Sequence, residues 1–321
     1  MVSRSHARQP FPAAPQTIRF LPPMPPLRLA VLAAVLSLSC LSAQAFDGIR
    51  VTLLATGTPE APASGPGPST LVEAGDEVLL FDCGPGTRQR LQQANVALRD
   101  VTALFLSTLD ARRTAGCAEL WRDRAALGAD ALPVWGPAGT AELVGNFERS
   151  ASLAPQSAVL GFDIGDNVVY QPEAVTVTAF VTDSGPDAQS FGYRVDAMRR
   201  AVTLSGSTRY SENVVRYAKG AHLLVHEVAA AAASGNASEL QLLTQHTSPE
   251  DAARVFRTAR PYLAVYSQLL LLGATPEDVV RRTRSAYRGA LEVGRDLMVI
   301  EIQNEVQVRG APSEPRAGDA R

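Results

Sequence analysis

The stretch Ala103-Leu104-Phe105-Leu106-Ser107-Thr108-Leu109-Asp110-Ala111-Arg112-Arg113 decides how the rest of the chain is read. Apolar residues run into a polar loop, the frame of a strand entering a metal-binding loop. The side chains in that frame are hydroxyls, one carboxylate and two guanidiniums. The whole chain of 321 residues has four histidines: His6, His222, His226 and His246. A pair of catalytic metal ions on such a frame needs more imidazoles than that.

Outward from this stretch, strands and helices alternate. Ile49 to Leu54 reads as a strand ending in the turn Ala55-Thr56-Gly57-Thr58-Pro59. Thr70–Ala74 and Glu77–Phe81 read as two strands joined by Gly75-Asp76. Asp82-Cys83-Gly84 is a turn, with Asp82 stabilising it through its side chain. A helix is predicted over Thr114–Leu127, with Trp121 on its buried face, and another over Thr140–Arg149. Strands follow at Val175–Thr182, Phe191–Val195, Ala201–Leu204, His222–His226, Leu263–Tyr266 and Leu297–Ile302. Ala229–Ser234 is small and featureless. Ser248-Pro249-Glu250 and Thr275-Pro276-Glu277 each begin a helix, with a hydroxyl cap and proline in the first turn. Antiparallel strands are expected to dominate each half. Two sheets face to face with helices outside satisfy the pattern.

Bulk properties bound the function loosely. The chain is 46% hydrophobic and 19% charged, with net charge -2, an ordinary globular composition. Nothing in that balance points to nucleic acid. Lys219 is the sole lysine, an arginine bias of composition. At the N-terminus, Arg28 precedes the apolar run Leu29–Leu38, and Ala43-Gln44-Ala45 makes a small-x-small cleavage site. Residues 1–45 are therefore expected to be a signal peptide, with translation starting at Met24 as the alternative, and the run is too short to span a membrane. Residues 46–308 form the domain and 309–321 a disordered tail. Cleavage leaves two cysteines, Cys83 and Cys117, which read as small buried thiols that could also pair.

Val51-Thr52-Leu53-Leu54-Ala55-Thr56-Gly57-Thr58-Pro59, Phe81-Asp82-Cys83-Gly84 and Ala103–Leu106 together resemble the metallo-β-lactamase superfamily, in its ribonuclease Z and arylsulfatase-like branch. Pro133–Gly139, Phe191–Val195, Leu223–Glu227 and His246-Thr247-Ser248-Pro249 continue the likeness in the same order. It implies a four-layer αββα sandwich of α/β class with two zinc ions between its sheets. The family's loop is Thr-His-x-His-x-Asp-His, in which imidazoles and a carboxylate hold the metals.

In the register this resemblance sets, Ser107 takes the threonine slot. Thr108 and Asp110 take the first two histidine slots, Arg112 the aspartate slot and Arg113 the last histidine. Ser184 stands where the next ligand histidine belongs, Ser207 where the bridging aspartate belongs and Gln268 where the final histidine belongs. Hydroxyls are poor zinc ligands at neutral pH, and arginine only donates. The resemblance therefore implies a cofactor that these residues do not fit, and no metal is expected. His246 keeps a family position tied to proton transfer; a histidine near a helix start also serves packing. Asp110, Asp183, His246 and Gln268 offer the alternative of a rebuilt mononuclear site. Gly84-Pro85-Gly86-Thr87 lacks the spacing of a phosphate loop.

These residues lead to an exported pseudo-hydrolase of metallo-β-lactamase fold. It is expected in the periplasm or secreted, binding a small anion through Arg112 and Arg113, or a partner. The alternative is an active hydrolase of the fold (phosphodiesterase, sulfatase or ribonuclease Z-like) with an atypical metal site. No nucleic-acid partner is expected, since export removes the chain from tRNA and no long arm interrupts residues 140–190.

Overall fold

A hydrophobic chain with polar turns buries its strands pairwise, and here two sheets do so. The structure, a computed structural model, describes residues 46–57, 66–150, 159–185, 189–232 and 237–310. The expected signal peptide and nearly all of the expected tail lie outside the described residues. The described residues fall in one unit, Phe46–Arg321.

The first part of the chain gives β1 (Ile49–Ala55), β2 (Ser69–Ala74), β3 (Glu77–Phe81), α1 (Thr87–Gln93), β4 (Ala103–Phe105), α2 (Ala111–Thr114), α3 (Cys117–Ala126), β5 (Leu132–Gly136), α4 (Thr140–Ser150) and β6 (Val159–Asp163). The second gives β7 (Asn167–Tyr170), β8 (Val175–Val181), β9 (Phe191–Ala197), β10 (Arg200–Leu204), α5 (Glu212–Ala218), β11 (Leu223–Ala231), α6 (Ala237–Leu243), α7 (Pro249–Ala259), β12 (Leu263–Leu272), α8 (Pro276–Arg284) and β13 (Leu291–Val293). β14 (Met298–Ile302) and β15 (Val306–Arg309) return to the first sheet.

The first sheet has the order β15-β14-β1-β2-β3-β4-β5-β6 and the second β13-β12-β11-β10-β9-β8-β7. Alternation turns Ile49, Val51 and Leu53 of β1 inward, where they meet Val177, Tyr193, Val195 and Val225 of the other sheet. Leu54, Leu71 and Leu104 face outward and are covered by Leu120 and Trp121 of α3 and Val144 of α4. On the far side, Leu224, Val228 and Tyr266 pack under Val214 of α5, Phe256 of α7 and Val279 of α8. Helix, sheet, sheet and helix thus form four layers around three apolar seams, as the sequence pattern predicts.

The expected dominance of antiparallel pairing holds for only part of each sheet. β3 to β6 are parallel neighbours, and so are β10 to β13. The cause is the helix between each of these pairs in sequence, because parallel neighbours need a crossover connection. Parallel strands open their carboxyl ends on one side, and in open α/β sheets that side forms the ligand crevice. The ends of β3, β4 and β10 lie there, beside the irregular middle of the β11–β12 pair at Glu227 and Gln268.

Other boundaries moved for local reasons. The helix predicted over Thr114–Leu127 is two helices, α2 and α3, separated near Gly116. Gly116 lies so close to the β3 turn that a Cβ on it would sit 2.2 Å from the Gly84 carbonyl oxygen. β11 and β12 run on to Ala231 and Leu272, pairing Val228–Ala231 with Leu269–Leu272 through stretches of sequence without alternation. β15 ends at Arg309, one residue into the expected tail, where the Arg309 guanidinium meets Glu301 at 2.7 Å. The capped helix starts are as predicted: Ser248 accepts from the Asp251 N–H, and Thr275 and Asp278 form a reciprocal capping box.

Candidate ligand pocket

The β3 and β4 ends build the floor. β3 stops at Asp82, which bends the chain with φ of 57°, unusual for a residue with a side chain. The bend turns the buried carboxylate toward the next strand end. It accepts the Ser107 N–H at 2.8 Å, the Ser107 hydroxyl at 2.9 Å and the Arg113 guanidinium at 2.5 Å. The other side of that guanidinium donates to the Gln268 side-chain oxygen. Gln268 also has a positive φ, 57°, where the β11–β12 pairing shifts register, so a strand end on one sheet and a strand irregularity on the other aim their side chains at one arginine. Arg113 is 3% exposed. A cation buried this far survives only with its charge and hydrogen bonds met, and here a carboxylate and an amide meet them.

Asp82 therefore does more than stabilise its own turn, as its place in a Gly-rich stretch suggested. It is the counter-ion of Arg113, joining β3 to the loop after β4. The second sheet grips the same loop. The Phe191 N–H donates to the Ser107 carbonyl at 2.9 Å, and the Tyr193 hydroxyl donates to the Leu106 carbonyl at 2.6 Å.

Arg112 and Asp110 form the rim. The Asp110 carboxylate caps α2 by accepting the Arg112 N–H at 3.0 Å, and pairs with the Arg112 guanidinium at 3.0 Å. Burial works against the Asp110 charge, yet these contacts outweigh it and hold the carboxyl below its ordinary range. The two arginines thus divide: Arg113 is internal and Arg112 half exposed at the mouth.

The wall comes from β11 and the start of α7. The buried Glu227 carboxylate accepts the Thr208 N–H at 3.0 Å and the Ser207 hydroxyl at 3.5 Å. His246 Nδ1 lies 3.2 Å from the same carboxylate. Ser207 reaches this place on a turn that requires glycine: Gly206 has φ of 65°, and a Cβ there would stand 2.2 Å from the Phe191 carbonyl oxygen. His226 points away, edge-on to Phe256, with Nδ1 2.7 Å from the Glu227 carbonyl. Burial lowers its pKa, disfavouring the charged ring. His226 and Glu227, adjacent in the family-like block Leu223–Glu227, divide in the structure into a core imidazole and a pocket carboxylate. The 19-residue gap between Glu227 and His246 hides their pairing from sequence.

Thr108, Asp110, Arg112, Arg113, Ser184, Ser207 and His246 line one cavity of about 430 Å³, closed on another side by Pro137, Gln189 and Leu242. Gln268 lies just beneath, tied in through Arg113. The structure brings together every position that the sequence register named. The alternative grouping of Asp110, Asp183, His246 and Gln268 is not assembled. Asp110 pairs with Arg112, Asp183 with Arg209, His246 with Glu227 and Gln268 with Arg113. Among the described residues no three His, Cys, Asp or Glu side chains are placed to hold one metal ion. The donor set at the family's ligand positions (hydroxyls, an amide, a capped carboxylate and two guanidiniums) does not fit a two-zinc centre.

The family model described as Beta-lactamase superfamily domain matches residues 78–267. The chain belongs to the metallo-β-lactamase superfamily. Within it the chain falls in the ribonuclease Z-like branch. Ribonuclease Z of Mycobacterium sp. (strain KMS) is 30% identical over 292 residues, covering 82% of this chain and 99% of that protein. Ribonuclease Z of Mycolicibacterium gilvum (strain PYR-GCK) is 33% identical over 196 residues, 56% of this chain and 68% of that protein. Among solved structures, the metallo-β-lactamase fold protein YhfI from Bacillus subtilis superposes with a TM-score of 0.66 at 18% identity, over 79% of this chain and 100% of that one. The short form of human tRNase Z gives 0.63 at 18%, over 79% and 99%.

These relatives overturn one expectation about the metallo-β-lactamase-fold chain. Net charge, expected export and the lack of a long arm across residues 140–190 pointed to no nucleic-acid partner, yet proteins matched along most of its length are ribonucleases, enzymes of RNA. Net charge was the wrong quantity to read. It averages over the whole surface, whereas a cleft with its own local charge decides what binds there. Among the described residues no helix is long and apolar enough to cross a membrane.

Proposed function

We propose that this ribonuclease Z-like chain uses its pocket to bind a phosphate ester without hydrolysing it through metal. One observation carries the reading: the Arg113 guanidinium, held between Asp82 and Gln268, fills the ground of the family's metal ligands with a fixed cation. An ester entering the 430 Å³ cavity meets hydroxyls of Thr108, Ser184 and Ser207, the Arg112 guanidinium and the His246 ring. Hydroxyl and guanidinium donors suit phosphate oxygens. The ribonuclease relatives favour phosphate over sulfate or carboxylate as the anion. Isothermal titration with a nucleoside monophosphate should show binding that Arg112→Ala weakens about tenfold, a loss of one charge-assisted contact. A well-folded protein with no heat of binding would sink the proposal.

A second reading is a working phosphodiesterase with an unorthodox metal site. The relatives' names support it more directly than they support a binding protein, and so does the kept Glu227–His246 pair. Metal analysis of protein purified without chelator separates the two. Stoichiometric zinc together with hydrolysis of bis(p-nitrophenyl) phosphate would replace the first reading by the second.

We also propose export through residues 1–45, on the apolar run after Arg28 and the Ala43-Gln44-Ala45 site. A mature N-terminus at Phe46, read by mass spectrometry from the native source, is the expected result.

A further inference from the structure

The chain has three cysteines. Cys40 lies outside the described residues. Cys83 and Cys117 stand 34 positions apart, yet they meet in the apolar layer behind the first sheet, both 0% exposed. The Cys83 N–H donates to the Arg113 carbonyl at 2.7 Å, and the Gly116 N–H donates to the Cys83 carbonyl at 2.9 Å. Cys117 Sγ is 4.0 Å from that carbonyl oxygen, which sets the two residues side by side. Both are free thiols in this structure. The bare Cα of Gly116 permits the approach, since its place against Gly84 leaves no room for a side chain.

The surroundings narrow what these sulfurs can do. Leu54, Leu80, Leu104 and Leu120 pack around them. Burial, the partner thiol, Asp82 and Glu119 all push the Cys83 thiol up, and no cation or imidazole pulls it down. Neither a nucleophile nor a metal ligand is built that way. Two neighbouring thiols in a sealed apolar layer retain one chemistry, bonding to each other.

We propose that Cys83 and Cys117 form a disulfide that fastens the loop carrying Arg113 to the turn carrying Asp82. The reaction is exchange with a disulfide oxidant such as glutathione disulfide. The new Cys83–Cys117 bond forms as the oxidant's S–S bond breaks, and its two sulfurs leave as thiols carrying the two cysteine protons. Because both sulfurs are sealed in the folded protein, the bond forms while the chain folds and resists reduction afterwards. Asp82 is the residue next to one sulfur, and α2, with Arg113, ends just before the other. The bond therefore locks the two backbones between which the buried ion pair is strung.

The test compares the full chain refolded with glutathione disulfide and with dithiothreitol. The oxidised protein should weigh about 2 Da less and give a linked Cys83–Cys117 peptide in a non-reduced digest. Its thermal midpoint should rise by about 5 °C over the reduced form. Cys117→Ala should lose both the mass change and the shift. Full alkylation of both residues in the unfolded, oxidised protein would overturn the proposal, as would a mixed disulfide or a link to Cys40. The peptide map of the unsubstituted chain decides by itself if the variant does not fold.

Discussion

The floor and the wall of the pocket have diverged. On the floor, the positions that the family resemblance assigns to metal binding carry other residue types, and two of them, Arg113 and Gln268, make a closed polar cluster with Asp82 of the family-like turn. On the wall, Glu227 and His246 keep the types and order that the resemblance implies, with the carboxylate anchored by the Thr208 N–H. The floor cluster meets the condition for a buried cation, a counter-ion and an amide acceptor within hydrogen-bond reach. The wall needed no such compensation, because its carboxylate is satisfied by backbone and imidazole.

The sharpest test of this contrast is Arg113→Met. It strands the Asp82 carboxylate in a buried site, and unfolding by urea should show a loss of about 3–5 kcal/mol. Adding Asp82→Asn should recover most of it, leaving about 1–2 kcal/mol. A small effect of the single change would break the view of the floor as a matched ion pair.

On the wall, Glu227→Gln keeps an acceptor for Thr208 but removes the charge facing His246. The expected loss is about 1–2 kcal/mol, less than on the floor because neither partner is left as a bare buried ion. Equal losses at the two sites, measured in the same denaturant, would erase the distinction.

His226 supplies a pH test behind the wall. Burial lowers its pKa, so the folded protein holds the ring neutral. The unfolded ring titrates near about 6.5. Below that pH the unfolded chain binds a proton that the folded chain refuses, so stability is full above about pH 6.5 and declines as pH falls toward the folded pKa. His226→Phe should flatten this limb while costing about 1 kcal/mol at pH 8 for the lost bond to the Glu227 carbonyl. An unchanged slope between pH 5 and pH 7, roughly the window where a histidine titrates, would count against a neutral buried ring.

The smallest effect belongs to the rim. Asp110 is held below its ordinary pKa, so its stabilisation is present above the unfolded value and is lost as pH falls through the folded one. The pair with Arg112 is more than one-third exposed, and solvent screening limits it to a few tenths of a kcal/mol. Asp110→Asn should alter acid unfolding by about that amount and no more; a loss near that of Arg113→Met would show the rim belongs to the floor.

Much of the fold was legible in the sequence because periodicity and turn chemistry are local. Ser248 and Thr275 announced their helices, and the alternation of Val175–Thr182 announced β8. Legibility ended where local pattern ended. Ala229–Ala231 and Leu269–Leu272 carry no alternation, yet they pair because each lies beside the other, with one face in the seam under α7 and α8. The parallel halves of the sheets were missed for the same reason, since strand direction is set by the crossovers and not by the strand's own residues.

Read without coordinates, the chain already carries the layered α/β fold, the ordered blocks of the superfamily and the residue types at each position that the resemblance assigns to a ligand. What those residues touch is set by folding. It made Arg113 a buried partner of Asp82 and Gln268, left Arg112 at the mouth with Asp110, and joined Glu227 to His246. Side-chain type is written in the chain, but a charge takes its meaning from what lies within hydrogen-bond reach. Asp82 is 31 and Gln268 155 positions away from Arg113, distances that only folding closes.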